Sequence, residues 1–233
     1  MAITNKKAFK KPLNNRFKIK ITKNGPYIVY GGIPLRVNTV VLDASGIPYR
    51  WRPGKKYPVE KTYKLCRCGK SNNKPFCDNI HEQIEFDDTE TASRQPYLEQ
   101  AKIMKGPGLT LTDLPNLCVH AGFCDRSGGI WTLTEYSDEP EAREIAIEEA
   151  ANCPSGRLIV WDKEGNLIEP EFEPSIELVE DPFAGLNGPF WVHGGIPIES
   201  ADGTTYEIRN RVTLCRCGKS ENKPFCDGIH LKK

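Results

Sequence analysis

Six cysteines and two histidines sit in two nearly identical loops. LCRCGKSNNKPFCDNIH runs from Leu65 to His81, and LCRCGKSENKPFCDGIH runs from Leu214 to His230, 149 positions later, with 15 of 17 residues the same. Each loop follows the spacing C-x-C-x8-C-x3-H, which gives Cys66, Cys68, Cys77 and His81, then Cys215, Cys217, Cys226 and His230. Three thiolates and one imidazole within so short a span make a donor set for a metal ion or an iron–sulfur centre. Chance rarely produces one such set and almost never two.

Three more cysteines, Cys118, Cys124 and Cys153, complete a total of nine. An odd number counts against a closed disulfide framework. The grouping into three sets of three, with none left over, also counts against cysteines scattered as small core hydrophobes.

The elements that must position these residues repeat as well. Asn24–Leu35 (NGPYIVYGGIPL) and Asn187–Ile198 (NGPFWVHGGIPI) agree at eight of 12 positions, and from there to the first loop cysteine the first copy is 14 residues longer. Short apolar runs punctuated by Gly and Pro predict small β-rich units, with Gly31–Gly32 and Gly194–Gly195 as turns. Phe17–Thr22 (FKIKIT) alternates apolar and polar and predicts a further strand. In the loops, Pro75 and Pro224 suit helix starts, which would set Cys77 with His81 and Cys226 with His230 on one helical face, with Asp78 and Asp227 in the first turn. Between the repeats, Ile130–Thr134 and Arg157–Trp161 read as strands, Glu139–Ala151 as a helix, and the acidic Glu164–Asp181 as a linker. His193 aligns with Tyr30 and reads as a strand residue, and Trp51, Trp131, Trp161 and Trp191 read as core rather than electron conduits.

The bulk properties exclude several classes of function. The chain has 233 residues, a net charge of +1 and 38% hydrophobic residues, so no overall field draws it to nucleic acid or membrane. It has no apolar run of about 20 residues and no apolar signal core near its N-terminus, which predicts a soluble cytoplasmic protein with reduced thiols. Lys6, Lys7, Lys10 and Lys11 read as a solvated basic arm. The chain has no catalytic triad, phosphate-binding glycine loop or nucleotide fingerprint, so we expect no enzymatic chemistry.

Spacing alone leaves zinc open. Structural zinc sites usually gather two separated pairs, commonly C-x2-4-C, whereas all four donors here share one loop. Both loops resemble the CDGSH iron–sulfur domain, whose pattern is C-x-C-x2-[ST]-x3-P-x-C-D-G-x-H. The second copy meets it at Cys215, Cys217, Ser220, Pro224, Cys226, Asp227, Gly228 and His230; the first departs only at Asn79, a residue that tolerates the left-handed backbone after Gly. The resemblance implies one [2Fe–2S] cluster per loop, held by three cysteines and one histidine, in small β-rich units packed about a twofold axis. It also implies a potential raised by the imidazole, and dependent on pH if its free nitrogen reaches solvent.

The middle cysteines carry a second resemblance. Cys118 and Cys124 are six apart, Cys153 precedes Pro154, and Ala121 stands where a C-x2-C-x2-C run has its middle cysteine. Leu117–Asp162 is thus similar to the divergent single-cluster ferredoxin domain. That likeness implies a third cluster, [3Fe–4S] on three thiolates or [4Fe–4S] with His120 as a fourth ligand; a ferredoxin-like fold without a cluster is the alternative.

The expected fold is α+β and β-rich. Residues 1–16 form the arm, 17–91 and 181–233 form two CDGSH units in a pseudo-twofold pair, and 92–180 form a small α+β ferredoxin-like insert. The expected function is single-electron transfer with redox protein partners, as a monomer with an intramolecular pair or as a homodimer. Cluster storage, cluster transfer or redox and pH sensing is one alternative, and a structural zinc protein is a second.

Overall fold

The structure, a computed structural model, describes residues 16–231 apart from Ala184. The basic arm expected over residues 1–16 therefore lies outside the described residues except for Arg16.

The alternating run at Phe17–Thr22 forms β1 (Lys18–Ile21), with Ile19 and Ile21 fully buried and Lys18 and Lys20 half-buried. It is followed by β2 (Tyr27–Tyr30), β3 (Leu35–Leu42), β4 (Pro48–Tyr57) and β5 (Thr62–Leu65), which leads into the first ligand loop. The insert contains α1 (Tyr97–Gln100), β6 (Lys102–Lys105), β7 (Thr110–Asp113), α2 (Ile130–Glu135), α3 (Pro140–Asn152), β8 (Leu158–Trp161) and β9 (Leu167–Ile168). The second copy runs through β10 (Ser175–Asp181), β11 (Leu186–His193), β12 (Ile198–Glu199) and β13 (Arg211–Leu214) into the second loop. The fold is α+β and β-rich.

The two copies exchange a strand. One sheet has the order β12-β1-β2-β5, and the other β13-β11-β10-β3-β4. β12 pairs parallel with β1 through Ile19↔Ile198, and β3 pairs parallel with β10 through Ile176↔Leu35. The corresponding antiparallel pairs, Ile19↔Val29 and Ile176↔Val192, keep the same register in both copies. Each sheet is thus completed by the other copy, about a pseudo-twofold relation. One core lies between them, built from Ile19, Val29 and Leu65 of the first copy and Ile176, Val192 and Leu214 of the second. Burying each such branched side chain contributes about 1.5–3 kcal/mol.

β4 has no counterpart in the second copy and lies at a sheet edge. Its Trp51 stacks on Phe123 of the insert at 4.5 Å and packs against Trp191 at 4.8 Å. The extra length of the first copy therefore clamps the insert to the paired sheets. The insert has its own antiparallel sheet, β6-β7-β8-β9. α2 and α3 cover it over Leu109, Leu111, Ile130, Leu133, Ala146, Ala150, Leu158 and Val160.

Three local expectations are corrected. Ile130–Thr134 is helical rather than a strand. Its buried residues Ile130, Leu133 and Thr134 fall at helical spacing, and the Thr134 hydroxyl donates to the Ile130 carbonyl at 2.7 Å. So short an apolar run carries too little periodicity to separate the two states. Glu164–Asp181 is not a linker: it supplies β9 and the central strand β10, in which Ile176, Glu177, Leu178 and Val179 are all buried. The loop prolines do not start α-helices; only three-residue 3-10 turns form, at Ile80–Glu82 and Ile229–Leu231. The helix expected at Glu139–Ala151 is α3 with Pro140 as its first residue, and the expected strand at Arg157–Trp161 is β8. His193 ends β11, and Trp161 and Trp191 are core residues. Among the described residues no helix is long and apolar enough to cross a membrane.

Candidate metal centres

Each ligand loop is closed by the strand that leads into it. In the first, Cys66 N–H donates to Pro75 C=O (2.9 Å) and Cys77 N–H to Lys64 C=O (3.0 Å), around an antiparallel bridge of Leu65 with Phe76. In the second, Cys215 N–H donates to Pro224 C=O (2.8 Å) and Cys226 N–H to Thr213 C=O (2.9 Å), around Leu214 with Phe225. The first and third cysteines thus flank the bridge of a two-stranded neck on opposite strands, Cys66 across from Pro75 and Cys77 across from Lys64. The peptide bonds Lys74–Pro75 and Lys223–Pro224 are both cis.

The polar residues of the motif tie the tip of each loop. Ser71 Oγ donates to Phe76 C=O (2.7 Å) and accepts from Asn73 N–H (3.0 Å); Ser220 makes the same pair with Phe225 (2.7 Å) and Asn222 (3.0 Å). Asp78 accepts from the N–H of Asn72 (2.8 Å) and Ile80 (3.2 Å), and Asp227 from Glu221 (2.8 Å) and Ile229 (3.1 Å). These backbone donors, Asn72 first, hold the Asp78 carboxyl below its ordinary range. The aspartate spans the loop rather than answering a helix dipole. Asn79 adopts φ 67, the left-handed conformation that its place in the motif requires.

The eight donors converge as four pairs. Cys66 Sγ and Cys68 Sγ are 3.8 Å apart, and Cys215 Sγ and Cys217 Sγ are 3.6 Å apart. Cys77 Sγ lies 3.5 Å from His81 Nδ1, and Cys226 Sγ 3.5 Å from His230 Nδ1. Two ligands on one tetrahedral metal, with bonds of about 2.3 Å to sulfur and 2.0–2.1 Å to nitrogen, lie about 3.8 Å apart for S···S and about 3.6 Å for S···N. Each pair therefore suits one metal. A loop with two separate pairs fits a binuclear centre.

Burial pushes up the thiols of Cys68, Cys77 and Cys226. Cys217 is the exception: the hydrogen bond from Cys215 lowers it to about 7 and raises Cys215 correspondingly. A cation held there would lower all of these thiols, because coordinating thiols are deprotonated. Burial also lowers His230, with Arg216 and, more weakly, His120 adding positive charge beside it. Between the paired cysteines, Arg67 and Arg216 are held by partners outside the donor set. The Arg67 guanidinium donates to Asp88 C=O (2.6 Å), and that of Arg216 bridges the Gly188 carbonyl and the Glu180 carboxylate (2.7 Å).

The two loops meet tip to tip. A Cβ on Gly69 would lie 2.7 Å from the Cys217 carbonyl carbon, and one on Gly218 would lie 2.6 Å from the Cys68 carbonyl oxygen. Only glycine lets the two Cys-x-Cys turns approach this closely.

The central cysteines share one cavity of about 330 Å³, lined also by His120, Ala121, Trp131 and Arg157. Cys118 ends the turn Pro115–Leu117, Cys153 ends α3, and the Cys124 carbonyl accepts from Ile130 N–H (3.1 Å) at the start of α2. All three are free and part-buried, and burial pushes the Cys124 thiol up to about 12. Arg157, bound bidentately to Asp113 at 2.6 and 2.9 Å, lines the same wall. Three thiols around one cavity, beside a fixed cation, fit a polynuclear centre seated among them.

The structure brings the expected cysteines and histidines together in pairs, and adds bracing groups that the sequence did not single out. The difference between Tyr27 and its counterpart Phe190, and between Gly228 and Asn79, were the available signals.

Comparison with known families agrees with this geometry. Residues 24–82 and 187–231 match the family described as iron-binding zinc finger, CDGSH type, and residues 104–163 match the divergent 4Fe-4S mono-cluster family. No curated protein and no solved structure gives a significant match to the chain. The fold and the matches define an iron–sulfur protein. Two regions match the CDGSH type, on either side of one that matches the divergent 4Fe-4S mono-cluster family.

Proposed function

We propose that this chain is a multi-centre carrier of single electrons with no substrate chemistry of its own. It would hold a [2Fe–2S] cluster on Cys66, Cys68, Cys77 and His81, a second on Cys215, Cys217, Cys226 and His230, and a third, [3Fe–4S] or [4Fe–4S], on Cys118, Cys124 and Cys153. The observation that carries the reading is the division of each loop into two donor pairs, Cys with Cys at 3.6–3.8 Å and Cys with His at 3.5 Å. That division matches a binuclear centre, in which each metal takes two of the four donors.

When bound, such clusters accept and return one electron at a time without making or breaking bonds in a substrate. The chain's part is to hold and shield. The buried Cys66, Cys68, Cys215 and Cys226 exclude water from the thiolates, and the Ser and Asp contacts at each tip keep the donors in place before and after electron uptake. Nδ1 of His81 and His230 faces the cysteine of its pair, which leaves Nε2 to tune the site through its own partners. The partners in this reading are redox proteins, and the exchanged strands support an intramolecular pair within one chain.

The test is an anaerobic absorption and EPR spectrum with iron and sulfide analysis. Two binuclear centres alone give about four irons per chain, and a third centre raises this to about seven or eight. A colourless protein containing zinc refutes the reading. Rapid transfer of iron and sulfide to an apo-ferredoxin, in place of reversible reduction, would make the chain a cluster donor rather than an electron carrier.

A further inference from the structure

Gly228 is one of the places where the insert touches the second ligand loop; another is Asn222, whose side-chain amide donates to the Asn116 carbonyl at 3.2 Å. A Cβ at Gly228 would lie 3.1 Å from the Cys118 carbonyl and 3.3 Å from His120 Nε2, with His120 Cδ2 nearer still. Gly228 is two residues from Cys226 and two from His230. At no more than about 3.8 Å per residue, the Cα of Cys118 lies within roughly 15 Å of the Cα of either donor. The matching residue of the first loop is Asn79, which is exposed, so that face of the first loop is open. The first loop touches the second through the reciprocal contacts of Gly69 with Cys217 and Gly218 with Cys68.

We propose that the three donor sets stand in a row, with the second loop in the middle, and that His120 seated on Gly228 sets the spacing between that loop and the central cysteines. The proposal rests on the reading that each set holds a cluster. An electron from a one-electron donor protein enters at one end, oxidising that donor by one unit. Each member of the row is reduced by one unit as its neighbour is reoxidised, until an acceptor protein takes the electron, with no bond made or broken. Electron exchange and magnetic coupling both fall steeply with distance, so neighbours in the row communicate and the ends do not.

His120 is a positioning residue in this scheme. It also explains why only the second loop keeps the glycine of its motif: at the first loop no side chain claims the space, and Asn79 satisfies the backbone at φ 67.

EPR relaxation of the full chain, reduced with dithionite, tests the order. His81→Cys and His230→Cys each alter one binuclear signal and so assign both. We expect the second-loop signal to relax fastest, and Cys124→Ser to slow it several-fold while leaving the first-loop signal unchanged. Gly228→Asn, which copies Asn79, should displace His120 and slow the same signal with iron content preserved, whereas Asn79→Gly should change nothing. Equal responses of the two signals, or a response confined to the first loop, overturn the row. A wild-type chain with only about four irons removes the third centre itself, a separate outcome that defeats the underlying reading and the row together.

Discussion

The phenolic O–H of Tyr27 donates to the Cys215 carbonyl at 2.8 Å, so a side chain of the first copy braces the first donor of the second loop. The Pro224 carbonyl lies within reach of the same hydroxyl at 3.3 Å. The counterpart of Tyr27 is Phe190, which meets it edge-on at 6.3 Å and has no hydroxyl to brace the first loop. The pair is symmetric in shape and asymmetric in chemistry.

Tyr27→Phe should therefore loosen one loop only. Leaving a buried carbonyl without its donor costs about 1–3 kcal/mol. Under a chelator, about half of the visible absorbance assigned to the two binuclear centres should decay faster than in the wild type, while the rest keeps its rate. A uniform acceleration would contradict the asymmetry.

The serine in each loop offers a symmetric counterpart. Ser220 is fully buried and joins Asn222 N–H to the Phe225 carbonyl, as Ser71 joins Asn73 to Phe76. Ser220→Ala leaves both backbone groups unpaired, at about 1–3 kcal/mol. The variant should show reduced iron occupancy at the second loop, and Ser71→Ala the same at the first. Full occupancy in both, measured by iron analysis, would argue that the neck alone holds the donors.

The histidines predict a shift in potential. A thiolate in place of imidazole adds negative charge beside the metal and lowers its reduction potential. His81→Cys and His230→Cys should each move one binuclear midpoint downward and leave the other alone. A redox titration in which both midpoints move together would mean that the loops are coupled more tightly than separate donor sets allow.

Glu149 predicts a pH dependence of stability. It is 1% exposed on α3, and burial raises its pKa from the ordinary 4.5 to about 8, with Arg126 opposing only in part. The folded chain keeps this proton up to about pH 8, whereas the unfolded chain releases it above about 4.5. Between those values the folded state binds more protons, so stability falls as pH rises through the window. Glu149→Gln removes the titrating group. Thermal midpoints of the two proteins should diverge from about pH 5 to pH 8, with the variant holding steadier; parallel curves would exclude Glu149 as the cause.

The ligand loops were legible because their information is local. Spacing within 17 residues fixes which side chains can share a metal, and Asn79 could be read as left-handed before its φ was known. The strand exchange was not legible, because Ile176 and Leu35 are 141 positions apart and no local pattern names a partner. β10 was hidden by chemistry as well: Glu177, fully buried, reads as a solvated acid until Arg36 and Asn38 from β3 are seen to bind it. Ile130–Thr134 failed for a different reason, since five residues fit strand and helix alike. The contact of His120 with Gly228 joins two segments whose loop geometry is set independently, so neither sequence announces the other.

The exchanged strands also bear on how the chain is made. Ile19 must wait for Ile198, 179 positions later, before its sheet is complete. At ribosomal rates of roughly 5–20 residues per second, that wait is on the order of ten to forty seconds. During it, the apolar face of β1 and β2 and the first set of thiols are both unfinished. The insert's strands and helices all lie between residues 97 and 168 and are synthesised within the interval, while Arg211, which donates to the Ala150 and Cys153 carbonyls at the end of α3, follows later. Synthesis thus imposes one order on the sheets: neither is complete until the second copy has emerged.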